Sequence, residues 1–311
     1  MSHGDVRHFA VIGDPVAHSV SPPMQQAAFA AAGIRADYVA LRVGREELSS
    51  AWGEIGERFE GLNVTRPHKS AVAALVDRVA PSAATSGTVN TVVRDGRRSV
   101  GESTDGDGFL AALRRVRTEP VARAVILGTG GATRAVAAAL AQTGSRVEIV
   151  GRNASAGDDL AADLTGRLPD GGAGTIAYAG GPDVLGTLLP QADLLVNATP
   201  LGDPSMPGAS PLPDDVSLDA SEPRPAVFDL IYRPRRTPLL RRAAAAGCPV
   251  VEGIEMLVEQ GARSFELWTG AAAPVETMRE AAYAALAADA ADAGADDGAN
   301  AGAVARTGEA R

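Results

Sequence analysis

Residues 124–132 read AVILGTGGA, a short apolar run that ends in a cluster of glycines. An alanine-rich segment with helical spacing follows as far as Thr143, Gly144 ends it, and residues 147–150 are apolar again. Strand, glycine turn, helix and strand in this order predict a βαβ unit, the building block of a parallel sheet. A chain of 311 residues is long enough for this unit to belong to one of two domains.

The glycine turn predicts an anion site. Gly128 permits a tight turn, and Gly130 with Gly131 lets the backbone approach a pyrophosphate group. The N-terminus of the following helix offers free N–H groups and the positive end of its dipole to that anion. Thr133 stands where the strict pattern has a third glycine, and methyltransferases and flavoproteins share such turns. The βαβ context is therefore what favours a dinucleotide.

The end of the next strand favours NADP over NAD. An NAD site usually ends this strand with a carboxylate that binds the ribose 2′-hydroxyl, whereas an arginine there suits a 2′-phosphate. Here Val150 is followed by Gly151, Arg152 and Asn153, and Glu148 lies inside the strand, where we expect it to point away. We predict that Arg152 binds NADP; the alternative is that it is only a solvated loop charge.

The composition excludes several other classes of protein. The chain has 29 Lys+Arg against 38 Asp+Glu, a formal net charge of −9, and no basic patch for nucleic acid. It shows neither a signal-peptide pattern nor an apolar run long enough to cross a membrane. Cys248 is the only cysteine, which fits a reducing cytoplasm. The four histidines have no zinc-ligand spacing, so no metal site is predicted.

Alternating strand and helix patterns over the rest of the chain predict an α/β protein. Apolar runs predict strands at 9–12, 38–43, 61–64, 194–197, 226–230 and 250–251. Helical spacing is found at 21–32, 69–79, 106–117 and, with a break at Gly270, 256–288. Ser21 and Thr104 are expected as N-caps, and Asp95-Gly96 as the turn of a hairpin between 88–93 and 99–102. Residues 203–225 predict a surface loop, and the Ala/Gly/Asp-rich residues 289–311 a disordered tail.

Lys69 is the single lysine among the 29 Lys and Arg residues. A coding bias explains arginine wherever a generic positive charge suffices. A guanidinium does not release its proton, however, whereas an ammonium can. A lysine kept in a chain that otherwise avoids lysine therefore predicts proton exchange at this position. Asp105 is the candidate carboxylate partner; the alternative is a charge that only stabilises a helix N-terminus.

Two further segments predict a substrate pocket. In NVTRPHK at 63–69, a strand end and a proline turn place Asn63 and Thr65 around the same pocket as Lys69. In HSVSP at 18–22, two hydroxyls alternate on an extended segment and so face one side. Ser19 and Ser21 can then donate together to a carboxylate.

Taken together, these residues resemble the shikimate dehydrogenase family over nearly the whole chain, about 9–288. The segments that carry the resemblance are HSVSP at 18–22, NVTRPHK at 63–69, GTVNT at 87–91, STDG at 103–106, GTGGA at 128–132, NATP at 197–200, DLIYRP at 229–234, TPLL at 237–240 and GIEML at 253–257, which leads to Gln260. Each segment alone is modestly specific, whereas the ordered set is highly specific.

The resemblance implies a fold of two α/β domains with the active site in the cleft between them. A substrate domain would comprise 1–106 completed by the C-terminal helices at 254–288, and a Rossmann-type NADP domain 107–253. The implied activity is the reversible reduction of 3-dehydroshikimate to shikimate with NADPH, in aromatic amino-acid biosynthesis. A cytoplasmic monomer or homodimer is expected, with domain closure over the small-molecule substrate.

The resemblance also assigns roles to residues. Ser19 and Ser21 would hold the substrate carboxylate with Tyr232 nearby, and Lys69 would exchange the proton with Asp105 as its partner. The residues expected to bind the ring hydroxyls are Asn63, Thr65, Asn90, Asp105 and Gln260. The residues expected to contact the cofactor are Gly128, Thr129, Gly130, Gly131, Ala132, Arg152, Asn197, Thr199, Gly253 and Met256.

Three positions depart from the pattern of the family. Ser103 stands where the family commonly has Asn, Gly151 replaces an Asn before Arg152, and Asp203 stands where Met is frequent. At Ser103 we expect changed cofactor or loop contacts, Gly151 weakens the prediction of NADP without removing it, and Asp203 is expected to reshape the nicotinamide side of the cleft.

Other functions stay open at this point. A quinate/shikimate dehydrogenase that uses NAD is disfavoured by Ser19 with Ser21 and by the missing carboxylate at the strand end. A non-catalytic paralogue that binds a dinucleotide and regulates a partner is disfavoured because Lys69 and Asp105 are both present. A methyltransferase gets no support from the segment around Lys69.

Overall fold

The computed structural model describes residues 6–169, 174–219 and 222–304. Its strands are β1 (Arg7–Gly13), β2 (Ala36–Arg42), β3 (Gly61–Val64), β4 (Arg78–Val79), β5 (Thr91–Asp95), β6 (Arg98–Glu102), β7 (Arg123–Leu127), β8 (Arg146–Val150), β9 (Thr175–Gly180), β10 (Leu194–Asn197), β11 (Ala226–Asp229) and β12 (Val250–Val251). Its α-helices are α1 (Ser21–Ala31), α2 (Leu48–Arg58), α3 (Lys69–Val72), α4 (Pro81–Ser86), α5 (Asp105–Arg114), α6 (Gly131–Gln142), α7 (Ala154–Arg167), α8 (Leu185–Leu188), α9 (Pro238–Ala245), α10 (Gly253–Thr269) and α11 (Val275–Val304).

The strands from β7 onward form one parallel sheet in the order β12-β11-β10-β7-β8-β9. Counted from β7, this is the strand order 3-2-1-4-5-6 of the doubly wound dinucleotide-binding fold. The order reverses between β7 and β10. In such sheets a ligand binds at that reversal, outside the carboxyl ends of the strands.

The earlier strands form a mixed sheet in the order β2-β1-β3-β5-β6-β4. β1 pairs parallel with β2 and β3, whereas β5 pairs antiparallel with β3 and β6. Asp95 pairs with Arg98 across the β5–β6 hairpin, and Gly96 has φ +63°. The predicted hairpin is therefore confirmed, and so is the α/β fold with two sheets.

Both sheets bury apolar side chains on each face, and two helices tie the sheets together. Phe109 of α5 stacks on Phe228 of β11 with ring centroids 4.7 Å apart, and both rings are fully buried. Truncating such a ring costs about 3–5 kcal/mol. α10 contributes to both cores. Met256 is buried in the core of the parallel sheet, whereas Val258 and Phe265 are buried in the core of the mixed sheet.

Glycines set the spacing of the helices around α5. A Cβ on Gly108 would lie 2.5 Å from the backbone nitrogen of Gln260, so α5 and α10 cross in close contact. A Cβ on Gly106 would lie 2.9 Å from that of Ala139 in α6. The first turn of α5 therefore packs between α6 and α10. The predicted domain limits at 106/107 and 253/254 fall inside α5 and α10 and stay predictions.

Two helical predictions are wrong in detail. α1 begins at Ser21 itself, its N-cap position is Val20, and no side chain caps it. The helix expected over 69–79 ends at Val72, because the chain pairs with β6 as β4. Asp77 supports that pairing, since its Oδ2 accepts hydrogen bonds from the backbone nitrogen (2.7 Å) and hydroxyl (2.8 Å) of Ser99.

The C-terminal end also differs from the prediction. Instead of a disordered tail from 289, helical backbone continues in α11 to Val304, and alanine has the highest helix propensity. Residues 305–311 lie outside the described residues. Neither α11 nor any other helix in the described ranges has the length and apolar character needed to cross a membrane.

Candidate active site

Lys69 and Asp105 meet although they begin two different helices. The ammonium Nζ of Lys69 donates to Oδ2 of Asp105 at 2.6 Å. The Lys69 side chain is 20% exposed and the Asp105 side chain 5% exposed. Asp105 opens α5, where the positive end of the helix dipole favours a carboxylate. The predicted pairing is confirmed, and it leaves part of the amine accessible while the carboxylate is buried.

Asn90 fixes the other oxygen of this carboxylate. Its Nδ2 donates to Oδ1 of Asp105 at 2.9 Å and to Oε1 of Gln260 at 3.1 Å. Its Oδ1 accepts from the backbone nitrogen of Thr104 at 2.7 Å. Thr104 occupies the N-cap position of α5 as predicted, but its hydroxyl takes part in the same cluster and makes no capping hydrogen bond to the helix. Buried polar partners outcompete the local cap here.

The amide of Asn63 is oriented by residues that do not stand out in the sequence. The hydroxyl of Tyr38 donates to Oδ1 of Asn63 at 2.7 Å, and Tyr38 is fully buried. Burial raises the pKa of Tyr38 well above its usual value, so the phenol stays a donor. Nδ2 of Asn63 donates to Ser264 at 3.0 Å and to Thr91 at 3.2 Å. The hydrogen-bonding capacity left on the amide of Asn63 is therefore the second lone pair of Oδ1.

Tyr38 and Ser264 are thus parts of the site that lie outside the motifs, and Thr91 ends the segment GTVNT at 87–91 but was assigned no role. Ser264 lies four residues after Gln260, on the same face of α10, and its hydroxyl lies 2.8 Å from that of Thr91. That spacing is the one sequence signal that points to Ser264. Tyr38 lies in the middle of β2 and carries no such signal.

Ser19 and Ser21 come together in a turn rather than on an extended segment. The backbone nitrogen of Ser19 donates to Val16 at 3.0 Å, and Val20 is helical at φ −84°, ψ −2°. The predicted strand-like alternation is wrong, because the chain is already turning into α1. The hydroxyl of Ser19 accepts from the backbone nitrogen of Ser21 at 3.2 Å, so the two serines still form one unit.

Thr65 and Tyr232 both lie against the mixed-sheet part of the chain. A Cβ on Gly13 would lie 2.4 Å from Cγ2 of Thr65, so only glycine permits this approach. Tyr232 packs against the core of the mixed sheet. Burial raises the pKa of its phenol, and the positive charges of Arg233 and Arg66 oppose that rise. The positive charge of Arg66, next to Thr65, therefore acts on Tyr232.

The glycine turn lies at the reversal of the parallel sheet. Gly128 has φ +109°, and a Cβ there would lie 3.1 Å from the carbonyl oxygen of Ala198. The hydroxyl of Thr133 donates to the carbonyl of Gly128 at 3.0 Å, which explains a threonine at the third glycine position. A Cβ on Gly130 or Gly131 would meet nothing within 4 Å. With no acidic residue in its first turn, the N-terminus of α6 is open to an anion and fits a pyrophosphate.

Two charged residues of β8 and its end, Glu148 and Arg152, have different surroundings. Glu148 is buried and accepts from Nε of Arg123 at 2.5 Å and from Arg146 at 3.0 Å. The hydrogen bond from Arg123 lowers the pKa of Glu148 despite its burial. Glu148 is thus engaged away from the strand end, as predicted. Arg152 is exposed, and its side chain makes no hydrogen bond or ion pair within the described ranges.

The buried side chain of Asn197 fixes the loop after β10 through hydrogen bonds. Its side chain is fully buried, and its Oδ1 accepts from the backbone nitrogen (2.9 Å) and the hydroxyl (2.7 Å) of Thr199. Its Nδ2 donates to Asp229 at 3.0 Å. Burial raises the pKa of Asp229, although hydrogen bonds from Thr237 and Asn197 oppose that rise. Asn197 is therefore a buried residue that holds the loop in place, whereas Thr199 is partly exposed.

The last two predicted cofactor residues begin α10. A Cβ on Gly253 would lie 2.6 Å from the carbonyl oxygens of Leu230 and Ile231, so the helix starts in close contact with the chain after β11. Met256 is buried in the core of the parallel sheet.

Known proteins resemble this chain in sequence. The family model "Shikimate dehydrogenase substrate binding domain" matches residues 11–92, and "Shikimate 5'-dehydrogenase C-terminal domain" matches residues 253–283. The shikimate dehydrogenase (NADP(+)) of Symbiobacterium thermophilum is 43% identical over 92% of this chain and 96% of its own. That of Desulfitobacterium hafniense is 38% identical over 91% of this chain and 99% of its own. The chain belongs to the shikimate dehydrogenase family.

Solved structures agree with this assignment. The shikimate 5-dehydrogenase of Thermus thermophilus in complex with NADP(H) and shikimate is 38% identical, has a TM-score of 0.79 and covers 90% of this chain and 100% of its own. The quinate dehydrogenase of Corynebacterium glutamicum in complex with NAD is 30% identical, has a TM-score of 0.78 and covers 89% of this chain and 99% of its own. The predicted family, enzyme class and Rossmann-type fold are thereby confirmed.

The three positions that depart from the family pattern have different surroundings. The hydroxyl of Ser103 is buried and has no partner among the described residues. A Cβ on Gly151 would lie 2.9 Å from Cγ2 of Thr129, so the smaller residue leaves room for the glycine turn. Oδ1 of Asp203 accepts from the backbone nitrogen of Ser205 at 2.9 Å, which closes a local turn.

Proposed function

We propose that this chain catalyses the reversible NADPH-dependent reduction of 3-dehydroshikimate to shikimate. The observation that carries the proposal is the Lys69–Asp105 pair, a partly exposed amine held by a buried carboxylate. The names of the relatives and the anion-binding turn of α6 support the same activity.

NADPH, when bound, supplies the hydride that reduces the carbonyl carbon. Lys69 supplies the matching proton: its ammonium donates to the carbonyl oxygen as negative charge develops there, and the neutral amine takes the proton back in the reverse direction. Asp105 holds Nζ in place through Oδ2 and is itself fixed through Oδ1 by Asn90. A positioned acid of this kind contributes about 10²–10⁴-fold to the rate.

The hydrogen-bond pattern of the buried cluster supports recognition of a ring that carries hydroxyls. Tyr38 and Ser264 leave Asn63 only a hydrogen-bond acceptor to offer, so Oδ1 of Asn63 would accept a hydrogen bond from a substrate hydroxyl. Thr65 and Gln260 would complete the hydroxyl contacts. A site built this way rejects analogues without the hydroxyl, because its buried polar groups would be left unpaired.

The turn formed by Ser19 and Ser21 would bind the substrate carboxylate. Two hydroxyls donate to such a group without adding charge. Tyr232 would lie beside that carboxylate as a further donor, since its raised pKa keeps the phenol protonated.

The residues of the parallel sheet fit NADP. The backbone of 128–132 would hold the pyrophosphate, Arg152 the 2′-phosphate, and Thr199, Gly253 and Met256 the nicotinamide side of the cleft. Asn197 would act through Thr199, since its own side chain is buried.

Steady-state turnover of shikimate with NADP and with NAD tests the proposal. We expect a higher kcat/KM with NADP, and we expect Arg152→Gln to raise the KM for NADP far more than that for NAD. A higher kcat/KM with NAD, or a preference for quinate, would favour the NAD-dependent alternative. Tight NADPH binding without turnover would favour the regulatory paralogue.

Two finer expectations belong to the proposal. The single cysteine, Cys248, is buried and free, which suits a reducing cytoplasm. A monomer or homodimer is expected, and sedimentation of the full chain would distinguish the two.

A further inference from the structure

Two arginines on helices of the parallel sheet donate hydrogen bonds to the C-terminal end of α4, a helix that packs with the mixed sheet. Nε of Arg134 in α6 donates to the carbonyl of Ser86 at 2.9 Å, and Nη1 of Arg167 in α7 donates to that of Ala84 at 3.3 Å. Both carbonyls lie in the last turn of α4, where a helix leaves its carbonyls without partners. We call Arg134, Arg167 and the carboxylate that joins them, Asp163, the interdomain brace.

Asp163 keeps the two guanidinium groups in place. It accepts from Nη2 of Arg134 and, at 2.9 Å, from Nε of Arg167. Desolvation alone would raise the pKa of Asp163, but the hydrogen bonds from both arginines outweigh it and lower that pKa. The brace is therefore a charged triad, and an Arg fork can serve a carboxylate and a carbonyl at once.

Gly87 is shaped to receive the brace. Its φ is +69°, which favours glycine, and a Cβ there would lie 2.8 Å from Nη2 of Arg134 and 3.4 Å from Cζ of Arg167. Gly87 is the first residue of the segment GTVNT at 87–91. Its contact with the two arginines explains why this position is a glycine, which the proposed activity alone does not explain. The guanidinium groups lie directly against the backbone at this point.

The chain that follows α4 contacts Lys69 and Asp105. The hydroxyl of Ser86 accepts from the backbone nitrogen of Thr88 at 3.2 Å. The backbone nitrogen of Val89 donates to the carbonyl of Lys69 at 2.9 Å, and Asn90 holds Asp105. On the other side, Arg134 lies in the first turn of α6, three residues after Gly131 of the anion-binding turn. The brace therefore connects the glycine turn at 128–132 to the segment 86–90, which positions Lys69.

We propose that Arg134 and Arg167 are positioning residues through which cofactor binding and substrate binding strengthen each other. A cofactor that fixes the N-terminus of α6 also fixes Arg134, and Arg134 then holds 86–90 in the conformation that pairs Lys69 with Asp105. Linkage requires the effect to be reciprocal, so substrate must tighten cofactor binding by the same factor. This inference rests on the proposed function.

Calorimetry on the full chain tests the inference through the non-reacting pair NADPH and shikimate. The Kd of NADPH is measured with and without saturating shikimate, and the ratio is the coupling factor. We expect wild-type protein to show a factor of at least about 5, within the usual range for coupled sites. In Arg134→Met the factor should fall towards 1, while the Kd of NADPH alone changes less than twofold. Arg134→Lys, which keeps one charged donor, should restore part of the factor.

Controls separate coupling from a general loss of structure. Arg146→Gln removes an arginine of the same sheet whose partner Glu148 keeps its bond to Arg123, and it should leave the coupling factor unchanged. Arg167→Gln replaces a more exposed member of the brace and should lower the factor less than Arg134→Met, so it serves if that variant unfolds. A wild-type factor of 1, or an unchanged factor in a folded Arg134 or Arg167 variant, would overturn the inference. Absence of turnover in wild-type protein would instead refute the proposed function.

Discussion

Removal of one buried hydroxyl, in Tyr38→Phe, should change both stability and substrate binding. Tyr38 is fully buried, and its hydroxyl donates to Oδ1 of Asn63 at 2.7 Å. The variant loses this hydrogen bond and leaves a buried acceptor with one partner fewer, which costs about 1–3 kcal/mol. The ring itself stays, so the contact with Trp268 and the packing volume are kept.

The effect on binding follows from the amide of Asn63. Without the donor, the amide can rotate and present Nδ2 where the wild type presents Oδ1, and a substrate hydroxyl then loses its acceptor. We expect the KM for shikimate to rise about tenfold, equivalent to about 1.4 kcal/mol. The KM for NADP should stay within twofold, because the cofactor turn lies in the other sheet.

Urea unfolding and steady-state kinetics on the same preparations measure both effects. Tyr283→Phe is the matched control, because its hydroxyl also donates to a side chain, Glu255, at 2.7 Å but lies on α11 outside the site. It should lose stability and keep the wild-type KM for shikimate. Wild-type stability together with a wild-type KM in Tyr38→Phe would refute the role given to Tyr38.

Three further variants test other parts of the molecule. Lys69→Arg should keep the positive charge and still lose at least 100-fold in kcat, because a guanidinium does not release its proton; near wild-type turnover would contradict this. Gly108→Ala should destabilise the fold by about 1–3 kcal/mol and raise the KM for shikimate, since its Cβ would lie 2.5 Å from the backbone nitrogen of Gln260; thermal unfolding and kinetics measure both. Glu148→Gln should cost about 2–3 kcal/mol at pH 7. Because Arg123 lowers the pKa of Glu148 in the folded state, this difference is full above the unfolded value of about 4.3 and shrinks as the pH falls through the lower folded pKa. Unfolding curves at several pH values measure it, and a difference that grows in acid would be inconsistent with the pair.

Local patterns predicted the elements whose residues are apolar on both faces. β7 includes the predicted 124–127 (AVIL), because a short continuous apolar run between turn residues has few alternatives to a buried strand. β3 and β10 also occupy 61–64 and 194–197 as predicted, although each of them carries one asparagine. The pairing of Lys69 with Asp105 was also predictable, since each residue lies in a recognisable segment, NVTRPHK at 63–69 and STDG at 103–106. The helix expected over 69–79 failed because its spacing is equally compatible with the turns that precede β4.

The supporting residues of the site could not be predicted from the sequence. Ser264 meets Asn63 across 201 residues, and that contact depends on how α10 packs on the mixed sheet. Thr104 looked like a helix cap because a local backbone partner is the usual one, yet its hydroxyl faces Asn90. The same limit applies to the brace, because the sequence shows Arg134 only as a charge on an alanine-rich helix, and its contact with Ser86 depends on how α4 packs against α6.

The central claim is that the amine of Lys69 transfers a proton while hydride passes between the substrate and the nicotinamide. Single-turnover oxidation of shikimate by NADP in Lys69→Ala, with the Kd of shikimate measured on the same protein, tests it most directly. We predict a loss of at least 100-fold in the hydride-transfer rate with a change in Kd of less than tenfold. A large loss of affinity with an unchanged rate would show that Lys69 only anchors the substrate and would contradict the account.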